Sequence, residues 1–159
     1  MNPSKLQHEL KKKRPFEVLE EEAFLNIVRT SDRIQLPFAR LFREFDLTSS
    51  QYNILRILRG EGAPLPILEI ANRTVTAVPG ITGLIDRLEK AGLVERKRCE
   101  KDRRVIYAAL TEEGAKAAAK LDRPLWDLQR KLLAHMSPAE IKELIRLLEK
   151  TREGFDPVD

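Results

Sequence analysis

Residues 76–111 read TAVPGITGLIDRLEKAGLVERKRCEKDRRVIYAALT, and the way this stretch divides decides the fold. Pro79 is placed to open a helix whose apolar face carries Ile81, Leu84, Ile85 and Leu88, and Gly92 suits a left-handed cap that closes it before Leu93. Leu93 to Cys99 and Val105 to Leu110 then read as two short strands joined by a polar turn, a β-hairpin. Between Glu95 and Arg104 stand six basic side chains (Arg96, Lys97, Arg98, Lys101, Arg103, Arg104) and three acidic ones (Glu95, Glu100, Asp102). Such a hairpin is open to two readings: a solvated ribbon whose charges keep its edges from pairing, or a device for gripping a polyanion.

On the N-terminal side, Thr48-Ser-Ser-Gln51 is a capping-box pattern that starts a helix through Tyr52, Leu55 and Leu58, ending at Gly60 or Gly62. Pro66 suits the first turn of a further short helix from Ile67 to Asn72, with Ile67, Ile70 and Ala71 facing a core. Before these, Glu17 to Phe45 reads as one long helix with Ile34, Phe38, Leu41 and Phe45 on one face and a bend expected at Pro37. On the C-terminal side, Thr111 caps a helix carrying Ala118, Leu121, Leu125, Leu128 and Leu132, with Pro124 in its interior. Ser137 to Glu140 is a second capping box, opening a last helix with Ile141, Leu144, Ile145 and Leu148.

The order is four helices, a hairpin and two helices. Three short helices followed by a hairpin is the pattern of a winged helix-turn-helix, in which one helix enters the DNA major groove and the hairpin reaches along the backbone. The predicted class is mainly α with a small β-hairpin wing (α+β), the N- and C-terminal helices forming a dimerisation region. Residues 1–16 form a basic, flexible tail, 17–47 a dimerisation helix, 48–111 the winged lobe and 112–153 the C-terminal dimerisation helices. The long apolar stripes on 17–45 and 112–151 exceed what the small lobe covers, which points to association.

Composition narrows the function classes. A chain of 159 residues suits one folding unit with a real core. No apolar run approaches the roughly 18 to 20 residues of a membrane span, and residues 1–18 lack the apolar segment of a secretory signal. A cytoplasmic location is the expectation. One cysteine and two histidines leave no disulfide framework and no zinc-site spacing. His8 in the tail and His135 at a helix end supply no nucleophile, base and charge stabiliser converging on one point. We therefore expect neither an enzyme nor a cofactor. The net charge of +4 says less than its distribution: residues 1–14 hold five bases and one acid, and 95–104 six and three, so the remainder is net acidic.

Ile81-Thr-Gly-Leu-Ile-Asp-Arg-Leu-Glu-Lys-Ala-Gly-Leu-Val-Glu-Arg96, followed by Asp102-Arg-Arg104, Val105-Ile-Tyr-Ala-Ala-Leu-Thr111 and Glu113-Gly114, resembles the MarR family of bacterial transcription regulators. The resemblance covers most of the chain, and the combination is specific where neither piece alone is. It implies a homodimer carrying two winged lobes that bind a roughly palindromic operator in double-stranded DNA and usually repress transcription. A two-fold dimer of this kind sets its recognition helices about 34 to 36 Å apart, one turn of DNA.

Within that resemblance, Arg103 and Arg104 match the wing motif that enters the minor groove, and Asp102 is suited to hold a neighbouring arginine in position. The bland alternative is a surface ion pair of little consequence. Arg96, Arg98 and Lys101 are candidates for phosphate contacts or, equally, a solvated face. Thr76, Pro79, Gly80, Thr82 and Gly83 cluster where a recognition helix presents free amides. Many relatives carry a long polar side chain where Gly83 stands, so direct readout by this helix is weakened. Arg87 either faces phosphate or pairs with Asp86 and Glu89.

The family also implies regulation by a small aromatic or phenolic ligand between the dimer helices and the lobe. Phe38, Phe42, Tyr52 and Trp126 are candidates to line such a pocket, with plain core as the competing reading. Some members sense oxidants through a cysteine of the first helix, whereas Cys99 lies in the wing among cations that favour its thiolate. A redox role and a surface bystander both remain open, as does a winged module that grips an acidic protein instead of DNA.

Overall fold

A computed structural model describes residues 4–98 and 105–155. Helices α1 (Lys5–Glu9), α2 (Leu19–Arg43) and α3 (Ser49–Glu61) lead to strand β1 (Leu65–Pro66). Helices α4 (Ile67–Asn72) and α5 (Ile81–Lys90), strands β2 (Val94–Arg98) and β3 (Ile106–Leu110), and helices α6 (Glu112–Leu133) and α7 (Pro138–Arg152) complete the chain. This is the winged helix-turn-helix order expected, mostly helical with one small antiparallel sheet.

Local chemistry sets the boundaries. Both capping boxes form: Thr48 Oγ1 accepts from the Gln51 amide at 3.2 Å while the Gln51 side-chain oxygen accepts from the Thr48 amide at 2.9 Å. The same exchange joins Ser137 and Glu140 at 3.3 and 2.8 Å. Gly92 adopts φ 71° after α5, and the Leu93 amide donates back to the Leu88 carbonyl at 2.9 Å, which reverses the chain into the wing. Pro37 and Pro124 both lie inside continuous helices.

Four features differ from the sequence expectation. The sheet has three strands in the order β1-β3-β2, because Leu65 and Pro66 pair with Ala108 and Tyr107; a two-residue strand is too short for any alternation to announce it. Helix α5 starts at Ile81 rather than at Pro79, with Gly80 at φ 71° as its N-cap. The basic tail is not featureless: Ser4 caps α1, Leu6 is buried, and Glu9 pairs with Arg33 at 3.0 Å and Arg29 at 3.7 Å on α2. A single apolar residue and one acid anchor that segment, against the pull of Lys11 to Arg14 toward water.

Finally, the core runs across the expected boundary after Thr111. Ile54, Leu55 and Leu58 of α3, Ile70 of α4, Ile85 and Leu88 of α5 and Val94 of β2 form one fully buried cluster with Leu121 of α6. The first half of α6 therefore belongs to the winged lobe by packing. In contrast, α7 has no buried residue at all. Among the described residues no helix is long and apolar enough to cross a membrane.

Candidate nucleic-acid interface

Helix α5 turns Ile81, Leu84, Ile85 and Leu88 into the core. The 3.6-residue period therefore sends Thr82, Asp86, Arg87, Glu89 and Lys90 outward. Thr76, Pro79, Gly80 and Thr82 are all exposed around its N-terminal end, as the sequence predicts. Gly83 is half-buried, and a Cβ built there meets no atom within 4 Å, so its missing side chain leaves open surface rather than a tight approach. Arg87 is exposed and donates from Nε to the Gly83 carbonyl at 3.1 Å, folding back over that gap.

Among the described residues, the polar tie between the wing and this helix is made by Arg96. In β2, alternation sends Val94, Arg96 and Arg98 to one face and Glu95 and Lys97 to the other. Lys97 and Glu95 pair with each other at 2.8 Å. Arg96 reaches α5: its guanidinium Nη2 lies 2.5 Å from Asp86 Oδ1 and donates to the Thr82 carbonyl at 3.2 Å, and Nε faces Glu89 Oε2 at 3.7 Å. The Arg96 backbone amide donates to Glu89 Oε1 at 3.1 Å. Arg96 is thus engaged within the lobe rather than standing on a solvated face, and Asp86 and Glu89 pair with Arg96 rather than with Arg87. Spacing along the helix suggested the local pair, but strand β2 passes close enough for a longer-range partner to take both carboxylates.

Arg98 is exposed, opposite Ile106 in the ladder. Cys99, Lys101, Asp102, Arg103 and Arg104 lie outside the described residues. The root of the wing is pinned by Thr111, whose hydroxyl donates to the Gly92 carbonyl at 2.7 Å and accepts from the Gly114 amide at 3.0 Å. Its own amide donates to the Leu93 carbonyl at 3.2 Å. One threonine thus caps α6 and ties it to the turn after α5.

A cavity of about 1010 Å³ opens between α2, α7 and the start of α3. Phe38 and Phe42 line it with Ile34, Leu144 and Leu148, and among the described residues Arg43 is the one charged side chain in its lining, with Ser50 and Thr76 on the lobe side. Tyr52 and Trp126 do not line it. Tyr52 is buried behind Phe42, ring centroids 5.2 Å apart, where the charge of Asp122 acts on its phenol. Trp126 stands 53% exposed on α6. Burial of Tyr52 agrees with the plain-core reading, and exposed Trp126 belongs to neither core nor cavity.

With this geometry in place, kinship decides the family. The solved MarR transcription factor from Planctomyces limnophilus is 41% identical, aligns over 84% of this chain and 98% of its own, and superposes with a TM-score of 0.66. The chain belongs to the MarR family. The family model for MarR matches residues 47–106, from the connection before α3 to the first residue of β3. Among curated relatives, the HTH-type transcriptional regulator FarR of Neisseria gonorrhoeae is 27% identical over 83% of this chain and 92% of its own length. The homoprotocatechuate degradative operon repressor of Escherichia coli is 29% identical over 71% and 76% respectively.

As a MarR-family member the chain is a DNA-binding transcriptional regulator of the winged-helix type. Two features of this MarR lobe escaped sequence reasoning. Gly114 packs so closely on the wing root that a Cβ there would collide with the Leu93 carbonyl and come within 2.9 Å of Leu110 Cδ1. Arg59 of α3 donates to Asp122 of α6 at 2.7 Å, and burial, reinforced by the Asp122 charge, pushes the Tyr52 phenol above its usual value. The residues of that joint are separated by 63 positions, so no local pattern marks it.

Proposed function

We propose that the chain acts in the cytoplasm as a homodimeric repressor of a pseudo-palindromic operator, with no catalytic step, and that a small aromatic or phenolic ligand releases it. The observation that carries this reading is the Arg96 joint: it fastens wing to recognition helix as one surface and neutralises the two acids that would otherwise face phosphate. Arg87 and Arg98 stay exposed on the two elements so joined. Arg98, with Lys101, Arg103 and Arg104 of the wing, contributes phosphate and minor-groove contacts, and Asp102 positions its neighbours. Dimerisation is supported by α7, which buries nothing within one chain while carrying a full apolar stripe.

The repressor role and the aromatic ligand draw support from the relative named for a homoprotocatechuate degradative operon. The cavity suits such a molecule, with Phe38 and Phe42 on its apolar wall and Arg43 to meet an acid group.

The deciding experiment is a salt titration of duplex binding by the whole protein. Affinity should fall steeply with salt. Replacing Arg103 and Arg104 by alanine should weaken binding and flatten the log–log slope by about 2, one unit for each phosphate left unneutralised. A folded dimer without salt-dependent duplex affinity would remove the reading. Homoprotocatechuate, used as the probe ligand, should weaken operator binding in the parent and not in Phe38→Ala.

A further inference from the structure

From Thr74 to Ile85 the chain carries no charged side chain, and no asparagine or glutamine either. This run holds the turn between α4 and α5 and the first turn of α5, the part of a helix-turn-helix that reaches base edges. What it exposes is short and largely apolar: Val75 is 81% exposed, and Thr76, Ala77, Pro79 and Thr82 stand out beside it, the two threonines with a hydroxyl as well as a methyl. At Gly83 nothing projects, and the space is open. Arg87 lies one turn further along, with its Nε held by the Gly83 carbonyl.

The major groove distinguishes base pairs by their edges. Guanine is read by arginine or lysine, adenine by the amides of asparagine or glutamine, and thymine alone presents a methyl group for apolar contact. The run has no arginine, lysine, asparagine or glutamine for bidentate reading of the first two, only the single hydroxyls of its threonines, and a surplus of apolar groups for the third. Its flanks, Arg87 and Arg98, are cationic and exposed, which suits a groove walled by phosphate better than an apolar protein partner.

We propose that this run is a thymine-methyl reader. Val75, Thr76, Ala77, Pro79 and Thr82 pack against the 5-methyl groups of thymines in each half-site, and Gly83 lets the helix sit deep enough for them to touch. Specificity for T·A pairs then comes from methyl contact instead of bidentate hydrogen bonding. The inference rests on the DNA-binding reading above and assigns the sequence class that this surface selects.

The test begins with selection of duplexes from a random pool by the whole protein, expected to return thymine at two or three fixed positions of each half-site. Each such thymine is then replaced by uracil, which keeps the base pair and removes only the methyl. Affinity should fall about fourfold for each buried methyl removed, the factor that one methylene-sized apolar group contributes, while the salt dependence stays unchanged. Thr82→Ser and Val75→Ser should each abolish the uracil penalty at one position.

Half-sites without fixed thymines, uracil duplexes bound as tightly as the parent, or uracil penalties that neither variant alters would overturn the inference. All three leave the DNA-binding reading standing if binding remains steeply salt-dependent. Loss of salt-dependent duplex binding altogether would remove both.

Discussion

Arg96 on β2 and Asp86 on α5 face each other at 2.5 Å, and this pair ties strand β2 to the recognition helix. Arg96→Ala is expected to raise the operator Kd at least tenfold while lowering stability by less than about 1 kcal/mol, because the joint is near the surface and screened. Lysine should not restore binding, since a single ammonium cannot serve Asp86, Glu89 and the Thr82 carbonyl in the planar fork that arginine provides. Asp86→Asn in the Arg96→Ala background should recover part of the loss by removing a charge that repels phosphate. Fluorescence anisotropy with labelled operator, beside urea denaturation, separates the two effects.

The joint between α3 and α6 predicts a pH dependence. Burial first, and the Asp122 charge second, raise the Tyr52 phenol above its ordinary value in the folded chain. The folded state then keeps a proton that the unfolded state releases. Stability is therefore fully present below about pH 10, the unfolded phenol value, and is lost as pH rises through the folded value. Tm measured from pH 8 to 11.5 should fall more steeply for the parent than for Tyr52→Phe. Asp122→Ala should cost about 1 kcal/mol at neutral pH, because it leaves the Arg59 cation without its partner in a site that stays partly solvated.

Two glycines should respond in opposite directions. Gly114→Ala drives a methyl into the Leu93 carbonyl, which is held in place by the Thr111 amide, and should cost about 2 to 3 kcal/mol. Gly83→Ala meets open space inside a helix and should raise stability by roughly 0.5 to 1 kcal/mol. Urea midpoints for the pair give the sign directly.

The apolar stripes of α2 and α7 should carry the dimer. Ile145 and Phe24 are large and exposed within one chain. Ile145→Glu removes one buried side chain from each subunit, about 1.5 to 3 kcal/mol apiece, and should weaken association by about a hundredfold or more. Analytical ultracentrifugation is expected to show monomers with an unchanged far-ultraviolet circular dichroism spectrum. A variant that stays dimeric would place the association surface elsewhere.

Helices with a cap and a period were legible from the chain. Thr48, Thr111 and Ser137 each start the helix their side chains announced, and Gly92 ends α5 in the left-handed region, because these interactions are settled within four or five residues. The exposed cluster Thr76, Pro79, Gly80 and Thr82 was legible for the same reason: once the apolar face of α5 is known, the outward face follows. Charge was not. Arg96 looked like its neighbours in a basic run; Arg98 shares its face of β2, and what sets Arg96 apart is its place along the strand, within reach of Asp86 and Glu89.

By itself, then, the sequence determined the order of elements from α2 onward except β1, the winged helix-turn-helix and the uncharged N-terminal end of its reading helix, all of which rest on side-chain period and local hydrogen bonding. Tertiary structure alone decided which partner each stripe and each charge found: α6 shared between stem and lobe core, Phe42 at the cavity with Tyr52 behind it, Arg96 committed to Asp86 and Glu89. These depend on distances between segments that meet only when the chain has closed on itself, and no local pattern encodes such distances.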